Sequence, residues 1–379
     1  MAVRTVGVEE ELFLVDPETR ASAPRSPEVL KRFAENEPDA DPEDLGKELF
    51  KHQLETRTPP RRSLEELRED LARGRRFAAQ AAEAAGLRTL ASGTVPTPSP
   101  EGRLTTDDRY HDMAGRFGEI ARPQGTCGMH VHTYVYSPEE GVAVIDQVVP
   151  WLPVVLATTA NSPFYQGHDT SYASWRSQVW AQWPSAGPTE PFGDLETYRT
   201  VSRRMREAGA ARDDGMLYFD ARLAADHPTV EVRISDVCTD LDNAVLVSAL
   251  VRGLVTRAAA RAAQDDEERT AAGRSADYVW RAELLRAAQW RAARYALSDR
   301  LLDPETGDLA KATDVLRRLV EVVREPLEEA GDLELVEDGV SRVSAGAGAA
   351  RQRAAFERTG SVEGVVDDLV ERSNAVWRG

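Results

Sequence analysis

Cysteine is scarce in this chain of 379 residues: only Cys127 and Cys238 occur, far apart. That removes both a disulfide framework and a paired-thiolate metal knuckle, and it suits a reducing cytosol. Lysine is almost as rare, confined to Lys31, Lys47, Lys51 and Lys311, and no GxxxxGK[ST] run exists, so a P-loop enzyme is excluded. The stretch Gly346-Ala347-Gly348-Ala349-Ala350-Arg351 lacks the third glycine of a dinucleotide fingerprint and has no strand pattern before it. Met1 to Thr5 contain no apolar core of a signal peptide, and a cytoplasmic protein is expected. The most apolar window, Val142 to Ala160, is interrupted by Asp146, Pro150 and Pro153, which reads as a buried helix with a break and gives no expectation of a membrane partner. Excess positive charge is missing too. With 47 Lys+Arg against 64 Asp+Glu, the net charge of −17 is spread along the chain, which excludes a nucleic-acid partner held mainly through phosphates.

What is present is an ordinary globular composition, 41% hydrophobic and 29% charged, with 26 Gly and 21 Pro. A single domain over residues 1–379 is expected. Thr5 to Val15 alternates with the period of a strand and ends in the turn pair Asp16-Pro17. Ser63 and Glu66 form a capping box for an alanine-rich helix that Gly86 stops. Gly125 to Tyr136 and Thr229 to Asp236 read as further strands, and Asp242 opens a helix through about Ala263, with the acidic run Asp265 to Glu268 as a surface break. Three or four more helices are expected, over about Ala276–Leu302, Ala312–Ala330, Ala349–Arg358 and Val362–Ser373. Ser162 to Phe192 is a long aperiodic stretch rich in Pro, Gly and aromatics, and such loops usually carry function. Strands scattered among helices of unequal length, with no βαβ beat, predict an α+β fold around a mainly antiparallel sheet.

Four polar pairs sit two residues apart within strand-like segments: Glu9 and Glu11, Gln53 and Glu55, His130 and His132, Glu231 and Arg233. Period two places each pair on one face of its strand. A single pair is explained by a solvated face. Four pairs on one sheet would gather carboxylates, an amide, imidazoles and a guanidinium in one cleft, a set suited to hard divalent cations and phosphate. Carboxylates favour Mg²⁺ or Mn²⁺, and an imidazole among them is tolerated better by Mn²⁺. Zinc on His130-x-His132 lacks a third nitrogen or sulfur ligand at a recognisable spacing, and His132 could instead simply pack beside Tyr134. Arg176, in the long loop, is the arginine chosen for a substrate carboxylate or phosphate, since its planar fork binds either in bidentate fashion. Arg351 and Arg353 lie where a helix start could meet an anion. Trp180, Trp183 and Phe192 read as core or lid packing, and Cys127 as a small buried residue.

Taken in order, Gly7-Val8-Glu9-Glu10-Glu11, Gln53-Leu54-Glu55-Thr56-Arg57-Thr58, Gly128-Met129-His130-Val131-His132, Ala160-Asn161-Ser162-Pro163-Phe164 and Pro228-Thr229-Val230-Glu231-Val232-Arg233 resemble the type 2 glutamate–cysteine ligase family, the carboxylate-amine ligases. The likeness continues through Trp290 to Arg294 and Gly348 to Arg353. The resemblance implies a glutamine-synthetase-like catalytic domain, a curved, mainly antiparallel sheet flanked by helices, which binds ATP and Mg²⁺ or Mn²⁺. It implies formation of an amide through an acyl phosphate, with glutamate plus cysteine to γ-glutamylcysteine as the reaction in the family name. By the same likeness Glu9, Glu11, Glu55, His130 and Glu231 are metal ligands, with Glu48 a further candidate that needs a bulge or turn because it stands seven residues before Glu55. Arg233 would meet phosphate, and Gln53, His132, Asn161 and Arg176 would contact substrate or nucleotide. The partners implied are a small-molecule carboxylate and amine, and a homodimer is common among similar proteins.

Rival readings are a phosphotransferase of the guanidino-kinase type on the same kind of sheet, and a non-catalytic ligand-binding relative. A zinc hydrolase using His130 and His132 is a more distant fourth.

Overall fold

The chain lays down β1 (Val6–Val15), β2 (Leu45–Lys47), β3 (Gln53–Arg57), β4 (Arg88–Leu90) and β5 (Gly128–Tyr134). A short hairpin, β6 (Phe164–Tyr165) and β7 (His168–Asp169), comes next, then β8 (Ala221–Leu223), β9 (Thr229–Asp236) and a second hairpin, β10 (Arg300–Leu302) and β11 (Leu309–Lys311). These elements are seen in a computed structural model, which describes residues 3–99, 105, 108–121, 125–268 and 280–378. Seven strands make one sheet in the order β2-β3-β1-β5-β9-β8, with β4 paired to the far end of β1. Every pairing in it is antiparallel, as the sequence pattern predicts.

One face of the sheet is apolar because four of the five even-numbered residues of β1 are the buried Val6, Val8, Leu12 and Leu14. Helices cover that face. The helix Leu64–Ala84 starts where the capping box predicts, with the Ser63 hydroxyl accepting from the backbone N–H groups of Glu65 and Glu66, and Gly86 follows it at φ 72°. The apolar window after β5 folds as the helix Pro138–Val148, a 3₁₀ turn over Val149–Trp151 and the helix Leu152–Thr159. This is the expected break at Pro150, whose missing N–H cannot continue an α-helical ladder. By length and composition this segment and the helix Leu241–Glu268 could cross a bilayer, yet 78% and 83% of their apolar windows are buried inside the fold, where they form its core.

Several expectations need correction. The helix Leu241–Glu268 runs through the acidic stretch that was expected to break it. The segment expected as one helix to Leu302 is a helix over Ala282–Tyr295, a 3₁₀ turn and strand β10; its expected start at Ala276 lies outside the described residues. Ala312–Ala330 divides at Val323 into two helices. Helices at Ser26–Asn36, Asp108–Phe117, Leu195–Glu207 and Leu333–Ser344 have no counterpart in the sequence reading, their polar faces having hidden the apolar stripe. The long loop Ser162 to Phe192 contains the hairpin β6–β7 and the helix Trp175–Trp180.

One even-numbered residue of β1 breaks the apolar pattern. Glu10 is fully buried, and the Arg75 guanidinium on the helix Leu64–Ala84 donates to both its carboxylate oxygens, at 2.9 and 2.6 Å. Arg75 also donates to the carbonyls of Cys238 and Thr239, tying β1, this helix and the end of β9 together behind the sheet. Removing one partner of such a pair leaves an unpaired buried charge, which costs about 3–5 kcal/mol. Arg75→Leu is therefore expected to lose about that much stability in urea unfolding, whereas the double variant Glu10→Leu with Arg75→Leu recovers most of it.

Candidate active site

The other face of the sheet is polar because of its register. On β1, Glu9 lies opposite Arg57, Glu11 opposite Glu55 and Phe13 opposite Gln53. Towards β5, Glu9 pairs with His130, and across the next ladder His132 pairs with Glu231. Directly paired residues share a face, so the four sequence pairs converge. A bulge then alters the parity of β9. Between Met129 and Val131 on β5, β9 passes from Ser235 to Val232 and so carries one extra residue, which brings Asp236, opposite Gly128, onto the same side as Glu231.

Glu9, Glu11, Gln53, Glu55, His130, His132, Glu231 and Arg233 line one cavity of about 480 Å³, together with Glu48, Arg57, Arg109, Trp180, Trp183, Tyr218 and Arg222, whereas Asp236 does not border it. Glu48 reaches it because β2 ends at Lys47 and a turn intervenes before β3; the turn supplies the change of face that an unbroken strand would forbid. Thr105 secures this turn by donating to the Glu48 carbonyl at 2.6 Å.

Carboxylates this close repel one another, and their charge states divide accordingly. Burial raises the Glu48 carboxyl to about 7, with Glu11 adding to the rise. Burial, Glu9 and Glu48 push Glu55 well above the usual carboxylate range, although Arg57 stands 2.6 Å away. Glu9 and Glu231 move the other way. Burial alone would raise both, but hydrogen bonding to His130 and His132 holds Glu9 far below the normal range, and Arg233 with Arg222 does the same for Glu231. Burial and the Arg233 charge lower the pKa of His130, favouring its neutral, ligand-competent form.

The donor set fits a hard divalent cation. Glu9, His132 and Glu231 present one ligand atom each within 4.8 Å of one another. The Nε2 atoms of His130 and His132 are buried without a hydrogen bond, and His130 Nδ1 lies 3.2 Å from Glu9. Oxygen donors with one or two imidazoles suit Mg²⁺ or, better, Mn²⁺. His132, expected among the substrate or nucleotide contacts, thus shares the acid cluster with His130.

Other expected site residues sit elsewhere. Asn161 is buried away from the cavity, donating to the Val237 carbonyl and Thr239 hydroxyl and accepting from Gln352, so it ties loops together behind the site. Arg351 pairs with Asp240 and Arg353 with Asp169, neither lining the cavity. The helix start beside them is occupied, because Ala349 N–H donates to the Ala160 carbonyl. Arg176 does not line the cavity either. Its guanidinium lies over Gly128, where any side chain would collide with it, and donates to the carbonyls of Arg233 and Ile234. Gln53 lines the cavity and donates to the Thr126 carbonyl. Residues that sequence reasoning missed are Arg57, Arg109, Arg222 and Tyr218. Arg57 shares the parity of Gln53 and Glu55 and was legible; Arg222, 2.7 Å from Glu231, lies on a three-residue strand with no pattern to find.

The Glu48 shift has a measurable consequence. Between its ordinary value of 4.5 and about 7, the folded chain holds a proton there that the unfolded chain has lost, so this group's contribution to stability falls as pH rises. In metal-free buffer, Glu48→Gln is expected to melt close to wild type near pH 5 and above it at pH 8; an equal gap at both pH values would contradict the assignment.

Comparisons with known proteins identify the family and the fold. The model of the glutamate-cysteine ligase family 2 matches residues 5–371. A Nocardioides protein carrying the provisional name glutamate–cysteine ligase 2-1 is 52% identical over 99% of this chain and 97% of its own. A Streptomyces avermitilis protein of the same provisional name is 45% identical over 98% of this chain and 99% of its own. Among solved structures, glutamate–cysteine ligase of Francisella tularensis in complex with AMP has a TM-score of 0.68 at 11% identity, over 99% of this chain and 89% of that one. A bifunctional glutathione synthetase from Pasteurella multocida has a TM-score of 0.69 at 16% identity, over 98% of this chain and 52% of that one. At these identities the two structures establish the shared fold. The family match and the relatives, spanning nearly the whole chain, establish that it belongs to glutamate–cysteine ligase family 2 and is an enzyme of the ATP-dependent ligase class.

Proposed function

We propose that the enzyme joins a carboxylate to an amine at the expense of ATP, through an acyl phosphate. The observation that carries this reading is the meeting of Glu9, Glu11, Glu48, Glu55 and Glu231 with Arg233 in one cavity. Arg233 is buried, and its Nε has no hydrogen-bond partner although its Nη1 pairs with Glu231. An orphaned buried donor of this kind is expensive unless an anion reaches it. A second cavity of about 500 Å³ abuts the first at Glu9, Arg57 and His132, so a nucleotide and a substrate pair can approach the acids from two sides.

The steps balance as follows. A carboxylate oxygen of the substrate attacks the γ-phosphorus of ATP, and the bond from that phosphorus to the ADP oxygen breaks. The amine nitrogen then attacks the carbonyl carbon, the carbon–oxygen bond to phosphate breaks, inorganic phosphate leaves and a proton passes to water. Arg233 donates to the phosphoryl oxygens, where charge accumulates. Arg222 holds Glu231 in place with two hydrogen bonds, at 2.7 and 3.2 Å, and Gln53 donates to the Thr126 carbonyl at the cavity wall. A divalent cation bound by the glutamates with His130 and His132 would supply positive charge beside the triphosphate.

Glutamate and cysteine, the substrates named for the relatives, are the first pair to assay. With Mn²⁺ or Mg²⁺, ADP and phosphate should appear only when both a carboxylate and an amine are present, with an amide found by mass. Accumulation of a phosphorylated product in place of free phosphate would favour a phosphotransferase. Arg233→Lys, which keeps the charge but loses the planar fork, is expected to lower kcat about 10²–10³-fold.

A further inference from the structure

Three arginines meet the acids of the cavity, and they are held differently. Arg222 donates to both carboxylate oxygens of Glu231 and to the carbonyls of Asp214, Gly215 and Leu217. Arg233 is buried between Glu231 and the Tyr218 ring. Arg57 ends β3 with its side chain half exposed, and among the described residues its partners are acids of the cluster alone. Its Nε and Nη2 converge on one oxygen, Glu55 Oε1, at 2.8 and 2.6 Å, and Nε lies 3.5 Å from Glu9 Oε1. With no carbonyl among the described residues to anchor it, this is the guanidinium that can leave.

Arg57 also has room to move. It borders the acid-lined cavity, the second cavity beside it and a third of about 570 Å³ along β2. A fork that lets go of Glu55 therefore has open space on either side of the acids.

Resting on the ligase reading above, we propose that Arg57 is a built-in counter-ion which yields its carboxylates to the divalent cation, and that the freed guanidinium then takes the phosphates of the nucleotide. Arg57 and a cation compete for the same groups, since Glu9 and Glu55 belong to the acid set suited to a divalent metal. Two positive charges on one carboxylate oxygen repel, and Glu55 is buried, so water screens that repulsion poorly. Release costs little, because a half-exposed arginine regains hydration and an ion pair of such exposure contributes little to stability. Phosphate is the fitting destination: the planar fork binds it in bidentate fashion, and Arg57 borders both cavities from which a nucleotide can approach the acids. Cation and nucleotide then tighten each other's binding, because the displaced charge gains a partner only when both are present, and the coupling is reciprocal.

The test uses the full-length enzyme freed of metal by chelation. Mn²⁺ binding is followed by the electron paramagnetic resonance of the free ion, alone and with the non-hydrolysable ATP analogue adenylyl imidodiphosphate, after subtraction of Mn²⁺ bound by the analogue without protein. Arg57→Gln is expected to bind Mn²⁺ alone about tenfold more tightly than wild type, and to lose about tenfold of the affinity gain that the analogue confers. Arg57→Lys, which keeps the charge but not the fork, should bind Mn²⁺ alone as wild type does and lose the same gain. An arginine that merely braced Glu55 would act with the opposite sign, its removal loosening the acids; unchanged or weaker Mn²⁺ binding in Arg57→Gln overturns the inference. In the wild type, labelling of Arg57 by phenylglyoxal, read by peptide mass, should rise on adding Mn²⁺ and fall again with the analogue. Labelling that does not rise with Mn²⁺ overturns the inference without any variant. The ligase reading is judged apart, by amide formation from glutamate and cysteine in the wild type, so its failure shows in that assay and not in these.

Discussion

Like charges forced into direct opposition govern this structure. Glu11 and Glu55 face each other across the β1–β3 ladder, Glu9 stands one pair away, and Glu48 is brought in by a turn. Directly opposed carboxylates destabilise a sheet, so the surroundings must offset them. Arg57 and Arg222 meet the acids from the sheet's two flanks, Arg233 reaches Glu231 from two residues along β9, and the two imidazoles turn their Nδ1 and Nε2 atoms towards Glu9. Burial first, and then the repulsion these groups leave uncompensated, raises the carboxyls of Glu48 and Glu55. A cation seated among such acids would relieve this repulsion, a property that a solvated acidic face does not share.

Holding the cluster in register falls to features behind it. The Glu10–Arg75 pair fixes β1 against its covering helix. Asp236 accepts from Ser162, Ser174 and the Asn161 N–H, anchoring the long loop whose continuation carries Trp180 and Trp183 to the cavity. Arg176 fills the space above Gly128 at the end of the same loop. The residues that close the site therefore depend on buried polar bonds rather than on apolar packing alone, and each such group is costly to strand.

Much of this was legible in the sequence, and the residues explain where legibility stopped. Alternation in β1, β3, β5 and β9 gave the strands and put Glu9, Glu11, Glu55, His130, His132 and Glu231 on one face, because period-two patterning is local. The parity of Asp236 was not legible: it depends on a bulge defined only by the pairing of β9 with β5. Asn161, Arg351 and Arg353 belong to conspicuous motifs, yet their side chains satisfy distant backbone and acids, and a motif does not say whether its polar groups point to a ligand or to the protein. Tyr218 and Arg222 sit in segments with no periodicity and reach the cavity only through tertiary packing.

The cationic lining of the cavity is arginine alone. None of the four lysines borders it, and the Cys127 thiol beside Gln53 is held by burial far above the range in which it would ionise. An acyl phosphate is an aggressive acylating agent, and a neutral lysine amine or a thiolate in the wall would compete with the intended acceptor for it. Guanidinium groups stay protonated at every physiological pH and do not compete. On the proposed acyl-phosphate route, a chamber furnished in this way would protect its own polypeptide from self-modification.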